Sequence, residues 1–276
     1  MRQLPRPIGR LAASAALAAV LAGCAGHGDD APVPVPSGSA TFQLGPGVKQ
    51  LRQGRFTVVL SDSALQQARA DGFSLPQITG QALAHTAALL PGPRVTITIG
   101  FAAASQIVPQ TGTGGFTDPR TGRQVMMAFG PALHVSASRV LTFWLPRTLA
   151  LEVDHTVRII DGPGAATTLL QLFITGGVGA VFDRAAFPGP VDPWAQALTA
   201  RQQCTLWRQA RPLLGDHGSG QHWMLGGDGV PHWAGFSIGY QIVRDYLLRH
   251  PHVSWRALTL TSASVILTGS HYQPCG

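Results

Sequence analysis

The 276 residues contain a single glutamate, Glu152, and His155 follows it three positions later. Residues three apart are neighbours on a helix surface, so a carboxylate and an imidazole would meet there. On a solvated face such a pair is a weak interaction. In a cleft it can act as general acid and base. It can also supply a metal ligand beside a carboxylate that activates water. With one glutamate in the chain, no site that needs two can be built. The remaining candidates are Asp154, Asp161, His217, His222 and His232. Asp154 points away from the Leu151 face, and its spacing to Arg158 reads as an i,i+4 surface pair. Asp161 falls near the helix end. Asp216-His217 and His222 match no metal spacing, so the loop histidines read as solvated or hydrogen-bonded side chains. Gly112-Thr-Gly-Gly115 lacks the Lys-Ser/Thr ending of a phosphate loop and reads as a flexible loop. Trp194, Trp207, Trp223 and Trp233 read as core or cleft-wall residues.

The pair needs a helix to hold it. Thr148 to Asp161 has the pattern of one, with Pro146 in a first turn and Gly162-Pro163-Gly164 as a stop. Leu149, Val153, Val157 and Ile160 recur at helical spacing and mark its buried face. Before it, Arg55–Leu60, Arg94–Gly100 and Gln124–Phe129 read as strands. Helices are expected from Ser61 or Asp62 to Ala70 and from Leu75 to Leu90. Val140–Trp144 reads as a short strand or the lead into the central helix, and Gln110–Thr121 as a loop. Helices then dominate: 165–182, 193 or 194 to 210, 234–249, and a last one capped by Ser254. A long loop, 215–232, carries three histidines. Strands first and helices later indicate α+β.

Composition sets the outer limits. Hydrophobic residues make up 45% and charged residues 12%, a globular balance. The net charge of +7 is carried by scattered arginines, three of them (Arg2, Arg6, Arg10) in the first ten residues. No basic run or interleaved aromatic stripe is present, which argues against a nucleic-acid partner. Residues 1–23 have the layout of a signal peptide. Leu21-Ala22-Gly23-Cys24 resembles a bacterial lipobox, which implies cleavage before Cys24 and lipid on its thiol. Ala25 and Gly26 follow, and the absence of Asp there implies sorting to the outer membrane, facing the periplasm. Residues 24–50, rich in Pro, Gly and Ser, read as a tether. The folded body is then 51–276. Cys204 and Cys275 form an even pair in an oxidising compartment, either bridged or two free thiols.

Three blocks resemble a bacterial family of predicted zinc-dependent proteases with a zincin, gluzincin-like helix. They are Thr148–Arg158, Thr168–Ala180, and Gly235–Val243 followed by Ile266–Tyr272. The family helix reads His-Glu-x-x-His, and here its second half, Glu152-Val153-Asp154-His155, is intact. The resemblance implies a zincin-like α+β domain with a small N-terminal sheet and a mostly helical half that contains the active-site-like helix. It also implies zinc on two motif histidines and a later glutamate, with the motif glutamate as general base. Carried onto this chain, the base is Glu152 and one ligand is His155. The other two ligand positions hold Leu151 and Gly176.

Leucine and glycine side chains coordinate nothing. The leading expectation is a lipid-anchored envelope protein whose degenerate protease-like domain holds no cofactor and serves as a binding or scaffolding module. Its partners would be the membrane, through Cys24, and a peptide or envelope protein. The rival expectation is an active metallopeptidase with a rebuilt zinc site, Glu152 as base and His155 as ligand. A third, a purely structural lipoprotein, requires a cleft filled by Leu151 and its neighbours.

Overall fold

A computed structural model describes residues 48–103, 106–218 and 220–275. The expected signal peptide, Cys24 and most of the tether lie outside these residues. The first strand, β1 (Val48–Gln53), begins inside the span expected for the tether. It pairs antiparallel with β2 (Phe56–Ser61), which runs parallel to β3 (Val95–Phe101). Helices α1 (Asp62–Ala70) and α2 (Leu75–Leu89) form the crossover between β2 and β3. The Ser61 hydroxyl caps α1 by accepting from the Ala64 N–H. Then come β4 (Thr113–Thr117) and β5 (Gln124–Phe129), and the sheet order is β1-β2-β3-β5-β4. β5 is parallel to β3 and antiparallel to β4, which leaves β4 at the edge.

The expectation of a loop across Gln110–Thr121 is thus corrected: Thr113–Thr117 is a strand. Its two glycines have little strand propensity of their own, and pairing with β5 supplies what propensity does not. Val140–Trp144 is likewise no strand. It is a π-helical turn that follows the short α3 (Ala137–Arg139) and leads into the central helix α4 (Leu145–Asp161).

Leu145, Leu149 and Val153 of α4 pack on Val58, Leu60, Ile97, Ile99, Val125 and Met127 of the sheet. Behind α4 lies the helical half. It comprises α5 (Leu169–Ala186), α6 (Ala200–Ala210), α7 (Gly220–Leu225), α8 (Ala234–Arg249), α9 (Trp255–Leu260) and α10 (Ala263–Ser270). Its own core joins Phe173, Ile174 and Val178 of α5 to Ile238 and Ile242 of α8. These two helices touch backbone to backbone. A Cβ on Gly177 would lie 2.3 Å from the Gly239 carbonyl oxygen, so glycine permits the approach. α5 is long and apolar enough to cross a membrane, yet it is a mostly buried helix of this core. Cys204 of α6 and Cys275 form a disulfide across a separation of 71 residues. A loop of that length contributes about 4 kcal/mol by the chain-entropy argument. The architecture is α+β, a small N-terminal mixed sheet followed by a mostly helical half.

Candidate functional site

α4 carries Leu151, Glu152 and His155 to the seam between sheet and helical half. There they line a cleft of about 500 Å³. One wall is β4. The opposite wall comprises Thr175 and Gly176 of α5, Met224 and Leu225 of α7, Phe236 of α8, and Trp194 and Trp233. Glu152 is nearly buried, while the His155 side chain is 18% exposed. Their closest approach is 3.6 Å, from Nδ1 of His155 to Oε2 of Glu152. The Thr117 hydroxyl donates to the same Oε2 at 2.6 Å and reaches the Glu152 carbonyl oxygen at 3.2 Å. Burial works against a charged imidazole at His155. The contact and charge of Glu152 outweigh it, helped by the charge of Asp154 and the Thr175 carbonyl, and the pKa rises above the usual histidine value.

β4 was invisible in the sequence, and it brings two site residues, Gly115 and Thr117. A Cβ on Gly115 would lie 2.6 Å from Oε1 of Glu152, so the glycine makes room for the carboxylate. The only cue in the sequence was the alternation of small or hydroxyl residues at 113, 115 and 117. Gly115→Ala is expected to lower stability by about 1–3 kcal/mol, since an added methyl must displace a held side chain. Thermal unfolding checks this, and an unchanged melting temperature would mean that Glu152 swings away freely.

The Asp118 N–H donates to the Gln124 carbonyl, and the Gly130 N–H to the Gly112 carbonyl. In an antiparallel ladder this bonding alternates. The backbone groups of Gly114 and Phe116 therefore face β5, and those of Gly115 and Thr117, which pair with no strand among the described residues, form the free edge bordering the cleft. At the far end Val108 already caps this edge, its N–H donating to the Thr113 carbonyl.

Asp154 is no surface residue. It is fully buried behind α4, where it accepts from the Thr259 hydroxyl. Burial raises its pKa against the lowering effects of His155, Thr259 and Arg158. Arg158 is buried too, and it bonds the carbonyls of Thr259 and Thr261 and the Thr175 hydroxyl. The expected surface pair is thus two separate buried anchors that fix α4 to α5 and α9. Asp161 pairs with Arg256, away from the cleft wall. Of the loop histidines, His217 is exposed, His222 is half-buried, and His232 stacks on Trp233 at 4.3 Å. Trp194 and Trp233 meet edge to face at 6.2 Å in the cleft wall, and Trp207 and Trp223 belong to the helical core.

A helix presenting Glu and His to a cleft between a mixed sheet and a helical half defines a metallopeptidase-like α+β domain. Residues 76–268 match the family described as "Predicted Zn-dependent protease (DUF2268)", and the chain belongs to that family. No curated protein matches. Among solved structures, the aminopeptidase N family protein of Idiomarina loihiensis aligns at 11% identity with a TM-score of 0.44. That alignment covers 82% of this chain and 40% of the other, so this chain spans less than half of its length.

The residues present do not fit the zinc that the family description implies. A catalytic zinc takes three protein ligands and leaves a fourth position for water. Position 151 is leucine, and its side chain packs with Ala180, Trp194 and Tyr240. Position 176 is glycine, and the space its side chain would take is filled: a Cβ there would lie 2.7 Å from Cδ1 of Phe236. Among the described residues, no three His, Cys, Asp or Glu side chains form a group able to hold a metal ion.

Proposed function

We propose that this domain is a non-catalytic binding module of the cell envelope that holds an extended peptide segment in the cleft between β4 and α4. The observation that carries the reading is the pairing of lost ligands with a retained cleft. Leu151 and Gly176 stand where the family resemblance puts two ligands, and Phe236 covers Gly176, yet about 500 Å³ stays open beside them. The free edge of β4 favours a peptide, because an extended chain can satisfy its backbone groups by strand addition. The lipobox-like Leu21–Cys24 supports an anchor through lipid on Cys24, with the domain on the periplasmic side of the outer membrane and an envelope protein as partner.

Metal content tests the reading. The chain from Ala25 is equilibrated with zinc, freed of excess and assayed for zinc per molecule, with His155→Ala alongside. Neither protein is expected to retain zinc. One equivalent in the unsubstituted protein, lost in the variant, would overturn the binding-module reading in favour of a metallopeptidase with Glu152 as base and His155 as ligand.

A further inference from the structure

The part of the cleft beside Leu151, His155 and Gly176, where the family resemblance puts the three ligands, has walls chemically unlike a metal site. Leu151, Met224, Phe236, Trp194 and Trp233 surround it. Glu152 and His155 face each other across 3.6 Å, and Thr117 holds the carboxylate. Trp233 holds a backbone φ of 65°, a left-handed conformation that is costly for a bulky residue. Such strain persists only where the surroundings enforce it, and here it sets a second indole against Trp194. The ring of Phe236 covers Gly176 of α5 and forms the floor of the space.

We propose that the apolar part of the cleft walled by Leu151, Met224, Phe236, Trp194 and Trp233 is a specificity pocket for a large apolar side chain, borne by a peptide that pairs along the free edge of β4. The proposal rests on the peptide-binding reading and adds the class of side chain that the cleft selects. An acyl chain would also suit the apolar walls. It could not bond the outward backbone groups of Gly115 and Thr117, and buried backbone polar groups demand partners. A peptide with an aromatic or branched apolar residue satisfies both the edge and the pocket.

The test uses the full chain and capped, threonine-rich peptides that differ only in one central residue, with binding read by calorimetry. Peptides centred on Phe or Leu are expected to bind about tenfold to hundredfold more tightly than the Ala-centred peptide, the effect of burying one such side chain. Asp- and Lys-centred peptides are expected to show no measurable binding. Met224 is only partly buried, on the short α7, so Met224→Glu can be tested in a folded protein, verified by its melting temperature. It is expected to reverse the order, losing the Phe peptide and gaining the Lys peptide. N-methylation of alternate backbone amides in the Phe peptide is expected to abolish binding if the peptide pairs with β4. Binding that ignores the central residue would overturn the pocket and leave the peptide reading intact. Binding of a single-chain lysophospholipid with no peptide bound would overturn both readings, and so would no binding at all. The peptide series on the unsubstituted protein decides the matter even if Met224→Glu fails to fold.

Discussion

Restoring the two missing ligands, Leu151→His with Gly176→Glu, is expected to yield a protein that still retains no zinc. Adding Phe236→Ala is expected to give one zinc per chain. The reason is steric. A Cβ at 176 would sit 2.7 Å from Cδ1 and 3.0 Å from Cε1 of Phe236, and 3.4 Å from Cε of Met224. A glutamate side chain has nowhere to go until that ring is removed. Forcing it in costs about 1–3 kcal/mol, the usual range for overpacking a filled site. The double variant should therefore melt below the unsubstituted protein. The triple variant should gain stability on adding zinc, because a ligand that binds only the native state raises its melting temperature. Zinc content and melting curves with and without zinc decide this. Stoichiometric zinc in the double variant would show that Phe236 yields freely and that two substitutions alone separate this chain from a metal enzyme.

The loss of ligands at 151 and 176 was legible only through the family resemblance, which aligns His-Glu-x-x-His with Leu151–His155 and a later glutamate with Gly176. β5 and α8 were legible in full, each a run whose own pattern agrees with its setting. Edge strand β4 was not. Gly114 and Gly115 argue for a loop, and only the ladder to β5 makes them a strand. Thr117 and the room that Gly115 leaves for Glu152 were hidden with it. The burial of Asp154 and Arg158 was hidden for another reason. Their i,i+4 spacing suggests a mutual pair, but each instead meets a partner about a hundred residues later, in α9 and just beyond it. Phe236 over Gly176 is the same kind of fact, set by the contact of α5 with α8. Local patterns locate the elements, whereas partners distant in the chain decide what each buried polar group does.

A further buried cluster on α4 gives the largest expected stability effect. Arg147 of α4 is buried with Asp183 of α5 and Asp192. Its Nη2 reaches Asp192 at 2.7 Å, its Nη1 reaches the Pro190 carbonyl at 2.6 Å, and both Nε and Nη2 bond Asp183. Two carboxyls share one guanidinium in a dry interior. Burial and the charge of Asp192 push Asp183 well above the usual carboxyl range, even against Arg147. Burial raises Asp192 to about 6. Groups whose pKa is higher in the folded state hold protons that the unfolded chain releases. The contribution of Asp192 is fully present below the ordinary carboxyl pKa near 3.8 and is lost as the pH rises through about 6. Arg147→Met removes the cation and leaves two buried acids without a counter-charge. At pH 7 this is expected to cost about 3–5 kcal/mol, a fall in melting temperature on the order of 10 °C. At pH 5, below the value of about 6, Asp192 can hold its proton, so the gap between variant and unsubstituted protein is expected to narrow. Trp194 follows Asp192 by two residues, so the same substitution should also loosen the cleft wall and weaken peptide binding at pH 7. Melting curves at the two pH values test the triad. A loss of stability that does not change with pH would mean that Arg147 acts through packing alone.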